Sequence, residues 1–295
     1  MPDHGRDLEF GYFLVPNAAD SLLETAVELE WLGYDWIGVQ DHPYQRRYVD
    51  TWTLVSMVAA RTSRIRLFTD VVSLPLRPPA VLAKAAASLD VLSGGRFELG
   101  LGAGAFWDAI EAYGGPRRKP AEALRSLEEA IGVIRRIWSG DRGLRFDGEF
   151  YRLAGAHSGP VPQRPIGIWL GAYGPRALAL TGRVADGWVP SLQGDVQALR
   201  QMSSRVDEAA VAAGRQPGEV RRILNIQGEI TDGESTGLLH GPVSQWVLEL
   251  TDLAVSLGFD TFVLGSGDAA GGTRRRFVEE VAPAVRTAVA EERAG

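Results

Sequence analysis

Cysteine is absent from this 295-residue chain, and lysine occurs only at Lys84 and Lys119. The absence of cysteine excludes disulfides, thiolate nucleophiles and thiolate metal ligands. No uncharged apolar run approaches the roughly 18 residues that a membrane span needs, and the opening residues MPDHGRDLEF lack the apolar core of a signal peptide. A net charge of −6 argues against a nucleic-acid or membrane-surface role. We therefore expect a soluble, cytoplasmic protein without nucleic-acid or membrane partners.

Signatures of metal and hydrolytic sites are also missing. The sequence has no HExxH motif, no pair of histidines at helical spacing and no GxSxG nucleophile elbow. Neither lysine ends a predicted strand, which argues against a Schiff-base enzyme. We therefore predict no metal site.

What the chain does contain is a regular alternation of short β-branched or aromatic runs with longer helical patterns. The strand candidates are Leu8–Val15, Tyr34–Gln40, Ile65–Val72, Arg96–Leu101, Ile166–Leu170, Gly187–Pro190, Ile223–Glu229 and Thr261–Leu264. The helix candidates are Ala18–Leu32, Thr51–Arg61, Pro79–Leu92, Lys119–Ile137, Pro175–Val184, Val196–Ala213, Val243–Leu257 and Phe277–Val289. This α/β alternation predicts a parallel sheet in one domain over residues 1–295. At this length a closed (β/α)8 TIM barrel is favoured over an open doubly wound sheet. The run LRFDGEFYRL, Leu144–Leu153, predicts a small inserted β-hairpin.

An acid and an imidazole follow the second predicted strand, where the sequence reads WIGVQDHPYQ. Barrel enzymes build their active sites at the carboxyl ends of the strands. His42 is the only histidine that ends a predicted strand, and imidazole moves protons near neutral pH. We predict that His42 handles protons and that Asp41 bonds a cofactor or orients the ring. The alternative is a turn acid beside a half-buried histidine bonded to backbone.

Glycine-rich segments follow three other predicted strands. In GGRFELGLGAG, Gly94–Gly104, bulky apolar residues alternate with Glu98, Gly100 and Gly102, so one face of the strand carries two glycines. That face leaves room for a flat ligand or for tight packing. The turn GAYG, Gly171–Gly174, enters a helix that begins Pro175-Arg176, and such a helix start with a cation predicts a phosphate site. A second anion candidate is GSGDAAGGTRRRF, Gly265–Phe277.

Taken together, DHPYQ, RPPAVLAKAAASLDVLSGGRFELGLGAG and GAYGPRALALTGRVADGWVP resemble the luciferase-like monooxygenase family over Phe10 to Pro190. The resemblance implies a (β/α)8 oxidoreductase that uses FMN or the deazaflavin coenzyme F-420 (F420). It implies that His42 lies beside the cofactor ring, and that a non-prolyl cis peptide bond follows the third strand, best matched by Asp70-Val71. The cofactor-binding residues that it implies are Asp41, His42, Asp70, Val71, Gly102, Ala103, Gly104, Gly171, Ala172, Tyr173, Gly174, Pro175 and Arg176.

One departure from the family concerns the residues after the fourth strand, where some deazaflavin-dependent members carry an acid and this chain reads Ala105-Phe106-Trp107. An apolar, aromatic-walled substrate pocket is expected instead. The substrate residues that we predict are Tyr44, Phe106, Trp107, Trp188 and Arg274.

The expected activity is exchange of a hydride between the cofactor ring and a small organic substrate. The Asp-His pair and an arginine-rich composition favour F420 slightly over FMN. An FMN-dependent monooxygenase that activates O2 is the alternative; a redox-inactive barrel acting on a phosphorylated metabolite and a barrel that binds cofactor without catalysis are weaker ones. Family analogy suggests a homodimer, for which Thr51–Arg61 and Pro79–Leu92 would form the interface.

Overall fold

The elements of the fold alternate along the chain as the sequence predicts. The computed structural model describes residues 3–265 and 272–295. In this part of the chain the strands are β1 (Glu9–Leu14), β2 (Trp36–Val39), β3 (Arg66–Thr69), β4 (Val72–Ser73), β5 (Phe97–Gly102), β6 (Leu144–Asp147), β7 (Arg152–Ala156), β8 (Ile168–Leu170), β9 (Gly187–Trp188), β10 (Arg221–Gln227), β11 (Glu229–Ile230), β12 (His240–Gly241) and β13 (Thr261–Gly265). The helices are α1 (Leu22–Leu32), α2 (Thr51–Arg61), α3 (Pro79–Ser93), α4 (Trp107–Ala112), α5 (Pro120–Trp138), α6 (Pro175–Val184), α7 (Val196–Ala212), α8 (Val243–Leu257), α9 (Gly272–Arg276) and α10 (Ala282–Ala294). No helix in the described ranges is long and apolar enough to cross a membrane.

The central sheet is parallel and closed. Its strands follow the order β3-β2-β1-β13-β10-β9-β8-β5-β4, and β3 also pairs with β5. Strands β3 and β4 are two parts of one barrel strand, which leaves the eight strands of a TIM barrel and confirms the predicted fold class. Strands β6 and β7 pair antiparallel, which confirms the predicted hairpin.

The described residues cluster into two compact units. Unit 1 lies within Met1–Leu14, Glu24–Gly38 and Ala172–Gly295, and unit 2 within Val15–Leu23 and Val39–Gly171. The core of unit 1 includes the ring contacts of Phe10 with Phe262 and Phe277. The single-domain assignment stays a prediction from the sequence.

Helix boundaries follow local capping where caps exist. Helix α2 begins as predicted because the Asp50 side chain accepts a hydrogen bond from the Thr53 amide at 2.9 Å. The prediction that the first helix starts at Ala18 is wrong. Asn17 forms a bridge with Tyr48 and the Ala18 amide bonds the Arg47 carbonyl at 2.8 Å, so a distant segment holds these residues outside the helix.

Candidate active site

Asp41 lies two residues after the end of the second barrel strand, and its carboxylate is buried. It accepts hydrogen bonds from the Ser73 amide at 3.0 Å, from Arg77 Nε at 3.0 Å and from Arg77 Nη2 at 2.9 Å. Arg77 Nη2 also lies 2.9 Å from Asp50, the residue that caps α2. This charge-assisted, two-pronged pairing ties the end of β2 to β4 and to the start of α2. Asp41 therefore anchors the backbone around His42.

The peptide bond between Asp70 and Val71 is cis, as the resemblance implies. It interrupts the third barrel strand next to β5, where Val72 is in register with Leu101 and Ser73 with Gly102. A Cβ atom on Gly100 would overlap the Thr69 carbonyl oxygen, and one on Gly102 would lie 2.9 Å from Val71 Cγ2. The sequence left two predictions for these glycines, room for a flat ligand or tight packing. At Gly100 and Gly102 the structure supports tight packing against the interrupted third strand.

His42 is half-buried in a small aromatic cluster formed with Tyr44 and Phe106. Its Nδ1 atom lies 2.7 Å from the Tyr44 hydroxyl, and the two ring centroids are 5.4 Å apart. The Phe106 ring meets the imidazole edge-on, at 5.3 Å and 84°. The phenol thus occupies Nδ1, and no hydrogen bond to Nε2 is found among the described residues.

Burial sets the protonation of this cluster. Desolvation lowers the pKa of His42 below its ordinary value, and the nearby Asp41 charge opposes that effect only in part. Desolvation, assisted by Asp41, raises the pKa of Tyr44 to about 12. At neutral pH the pair is therefore a neutral imidazole and a neutral phenol. A hydroxyl both donates and accepts, so Tyr44 can hold the ring in either tautomer.

The aromatic residues that were predicted to line the substrate pocket fall into two groups. Phe106 is 58% exposed and Trp107 is partly exposed at the start of α4, a helix that the sequence did not predict. Trp188 is fully buried, its Nε1 donates to the Ala172 carbonyl at 2.9 Å, and its ring packs on Phe259. The structure thus places Trp188 in the packed core, unlike the more exposed Phe106 and Trp107, and the contact of Trp188 with a substrate stays a prediction.

The arginines after the eighth strand are engaged by carboxylates. Arg274 bonds Glu28 at 2.7 Å, and its side chain is 14% exposed. Its contact with a substrate stays a prediction. Arg275 pairs with Glu279 at 3.1 Å. Residues 266–271 of the predicted glycine-rich anion segment lie outside the described residues.

Helix α6 starts in unit 1 without a side-chain cap. Gly174 precedes Pro175, a Cβ atom on Gly174 would meet nothing within 4 Å, and Arg176 is exposed in the first turn. The first amides of a helix lack intrahelical acceptors and attract anions. The local structure therefore fits the predicted phosphate site. Within residues 3–265 and 272–295, no group of three or more acidic or histidine side chains is arranged so that it could hold a metal ion.

Sequence reasoning missed the residues that position the site. Arg77 stands in the quoted segment RPPAV, yet nothing local indicates that it bridges Asp41 and Asp50, which lie 36 and 27 residues away. The available signal was an arginine just before a proline-initiated helix, close in sequence to a predicted strand end.

Comparisons with known proteins agree with the barrel fold and identify a family. Residues 8–235 match the family described as luciferase-like monooxygenase. An F420-dependent glucose-6-phosphate dehydrogenase from Kineococcus radiotolerans is 33% identical over 235 residues, which are 76% of this chain and 68% of that protein. A protein of the same description from Mycobacterium tuberculosis is 33% identical over 220 residues, 71% of this chain and 65% of its own length. The chain thus spans about two thirds of these relatives.

Solved structures share the fold at low identity. An F420-dependent secondary alcohol dehydrogenase in complex with an F420-acetone adduct has a TM-score of 0.83 and 19% identity, covering 95% of this chain and 99% of that chain. Riboflavin lyase with modified FMN has a TM-score of 0.83 and 15% identity, covering 96% and 92%. With the family match over residues 8–235, the conclusion is that this chain belongs to the luciferase-like monooxygenase family and is an oxidoreductase of that family.

Proposed function

We propose that the protein exchanges a hydride between F420 and a small organic substrate, with His42 taking or giving the accompanying proton. The observation that carries this proposal is the half-buried, neutral imidazole whose Nδ1 lies 2.7 Å from the Tyr44 hydroxyl. A general base needs an accessible nitrogen and a second contact that fixes the ring. Nε2 of His42 supplies the first and Tyr44 the second.

The residues present fit a flavin-like cofactor at two places, one in each unit. In unit 2 the cis bond between Asp70 and Val71 and the segment Gly102–Gly104 would contact the ring, while Asp41 holds β4 and α2 in place around His42. In unit 1 the uncapped start of α6, from Ala172 through Arg176, would bind phosphate. A bound deazaflavin or flavin would supply the hydride chemistry. The chain's own task is to bind, to orient and to manage the proton.

F420 is favoured over FMN. Both relatives described above are named F420-dependent enzymes, and the Asp41-His42 pair suits proton management beside a hydride carrier. The alternative is an FMN-dependent monooxygenase that activates O2.

Titration of the purified protein with each cofactor, followed by fluorescence, tests the assignment. We expect a micromolar Kd for F420 and binding of FMN that is about tenfold weaker. Tighter binding of FMN, together with substrate-dependent O2 consumption when reduced FMN is supplied, would replace the proposal by the monooxygenase alternative. Binding of neither at micromolar concentration would contradict both.

We also propose that the chain forms a homodimer through α2 and α3. Three large apolar side chains on these helices face solvent: Met57 is 48% exposed, Val81 65% and Leu92 85%. Apolar surface of this kind marks interaction sites when it is contiguous. Light scattering of the purified protein checks the mass, and Leu92→Glu is expected to shift it to the monomer. A monomer mass for the unaltered protein would contradict the proposal.

A further inference from the structure

A cavity of about 220 Å3 lies in unit 1 at the carboxyl ends of the barrel strands. Its polar lining consists of Ser191, Gln193, Asn225 and Gln227, and Phe13 and Gly265 also border it. The volume is below the roughly 300–1,000 Å3 typical of drug-sized ligand sites, so it suits a small molecule or one end of a larger one.

Strand register shows that these side chains face the barrel interior. The Phe10 ring packs on Phe277 of the helical segment that follows β13, so position 10 faces the surrounding helices and position 11 faces the barrel interior. Val263 is in register with Gly11 and shares its face. Side chains alternate along a strand, so Phe13 and Gly265 share that face. Asn225 is in register with Val263 and Gln227 with Gly265.

Gly265 borders the cavity and has no side chain that would occupy part of its volume. A Cβ atom there would lie 3.6 Å from Gln227 Cγ and 3.7 Å from Phe13 Cβ, both ordinary contact distances. Ser191 is held by a parallel bridge to Asn225, and its amide donates to the Tyr173 hydroxyl at 2.9 Å. The cavity therefore has fixed walls built from strand positions.

The cavity presents amides and a hydroxyl, and none of the described residues that line it is charged. A second cavity in unit 1 shares Gln227 and Gly265 with the first and is also lined by Glu229 and Arg276. Arg276 bonds Glu280 at 2.9 Å and Asp232 at 3.0 Å. Two carboxylates thus pair with the Arg276 guanidinium, and Glu229 adds a third carboxylate to the lining of that cavity. As far as the described lining residues go, a phosphate dianion in either cavity would lose hydration without gaining an arginine or lysine that carboxylates do not already hold.

On the basis of the proposed function, we infer that this cavity recognises an uncharged, hydroxyl- or carbonyl-bearing organic substrate. Amide and hydroxyl groups hydrogen-bond such a group in both directions. The inference separates this chain from its relatives named glucose-6-phosphate dehydrogenases, whose named substrate carries a phosphate.

The test measures kcat/KM of the cofactor-bound protein for matched pairs of an alcohol and its phosphate monoester. The pairs are glucose with glucose 6-phosphate, glycerol with glycerol 3-phosphate, and cyclohexanol with cyclohexyl phosphate. We expect at least one uncharged alcohol to react, and each ester to be at least about tenfold less efficient than its parent. An ester that equals or exceeds its parent overturns the inference, and so does a panel in which no uncharged alcohol reacts.

Two variants that add a positive charge test whether this cavity causes the preference for uncharged alcohols over phosphate esters. Asn225→Lys, and Gln227→Lys in case the first does not fold, should raise the efficiency of esters relative to their parents by about tenfold. The matched control is Gln201→Lys on the exposed face of α7, which should leave the ratio unchanged. An unchanged ratio in both cavity variants also overturns the inference.

The cofactor Kd is measured first, by fluorescence, and should be equal in the unaltered protein and its three variants. Loss of cofactor binding in the unaltered protein contradicts the proposed function, on which the inference rests.

Discussion

The hydroxyl of Tyr44 lies 2.7 Å from Nδ1 of His42, and burial keeps both groups neutral at pH 7. The phenol holds the imidazole whichever nitrogen carries the hydrogen, because it can reverse its role as donor or acceptor. This makes Tyr44 a positioning residue in addition to its predicted place in the substrate pocket.

Tyr44→Phe should lower kcat about tenfold while leaving the cofactor Kd unchanged, because the ring keeps its packing and loses only the hydrogen bond. The acid limb of the pH profile should move to lower pH, since the protonated imidazole loses the phenol oxygen as an acceptor. Steady-state kinetics over a pH series check both effects. An unaltered profile would mean that the hydrogen bond does not act on His42.

The pH dependence of the unaltered protein follows from the same burial. When the substrate gives up a proton, Nε2 of His42 must be unprotonated. The pKa of His42 lies below its ordinary value of 6.5, so kcat/KM in that direction should be constant above that pH and should fall as pH drops through the lowered pKa. An acid limb that begins above pH 6.5 would contradict this account of His42.

Arg77→Ala should destabilise the fold by about 3 kcal/mol, since it leaves the Asp41 carboxylate buried and without its main partner. Urea unfolding measures the change. Arg125→Ala is the matched control, because Arg125 forms a similar two-pronged pair with Glu149 on the surface and its loss should not shift the midpoint measurably. Equal effects from the two variants would show that burial of Asp41 contributes nothing.

Arg176→Ala should weaken cofactor binding about tenfold with little effect on kcat at saturating cofactor, because the side chain adds a cation to the uncapped start of α6. Arg183→Ala, in the last turn of the same helix, is the control and should leave the cofactor Kd unchanged. Fluorescence titration compares the two. A Kd that is the same in both variants would remove the start of α6 from the phosphate site.

The sequence predicts the barrel well because its periodicity and helix-stop glycines are local signals. Helix α2 matches its predicted bounds, Asp50 caps it, and the left-handed Gly94, with φ of 72°, ends α3. Predictions from local signals are wrong where contacts with residues distant in sequence determine the start of an element. The late start of α1 depends on the bridge between Asn17 and Tyr48.

The candidate site could be predicted only in part for the same reason. His42 and the cis bond at Asp70 follow from a motif, whereas the anchoring role of Asp41 depends on Arg77. Trp188 lies on a strand of two residues, too short for alternation to reveal which face its ring occupies.

Replacement of His42 is the measurement that tests the central claim most directly. In His42→Ala, assayed with the best substrate of the unaltered protein, we predict that kcat falls about 10²- to 10⁴-fold, while far-UV circular dichroism and the cofactor Kd stay unchanged. Loss of turnover without loss of binding is the signature of a group that moves a proton. A His42→Ala protein that binds F420 normally and keeps its full kcat would contradict the proposed mechanism.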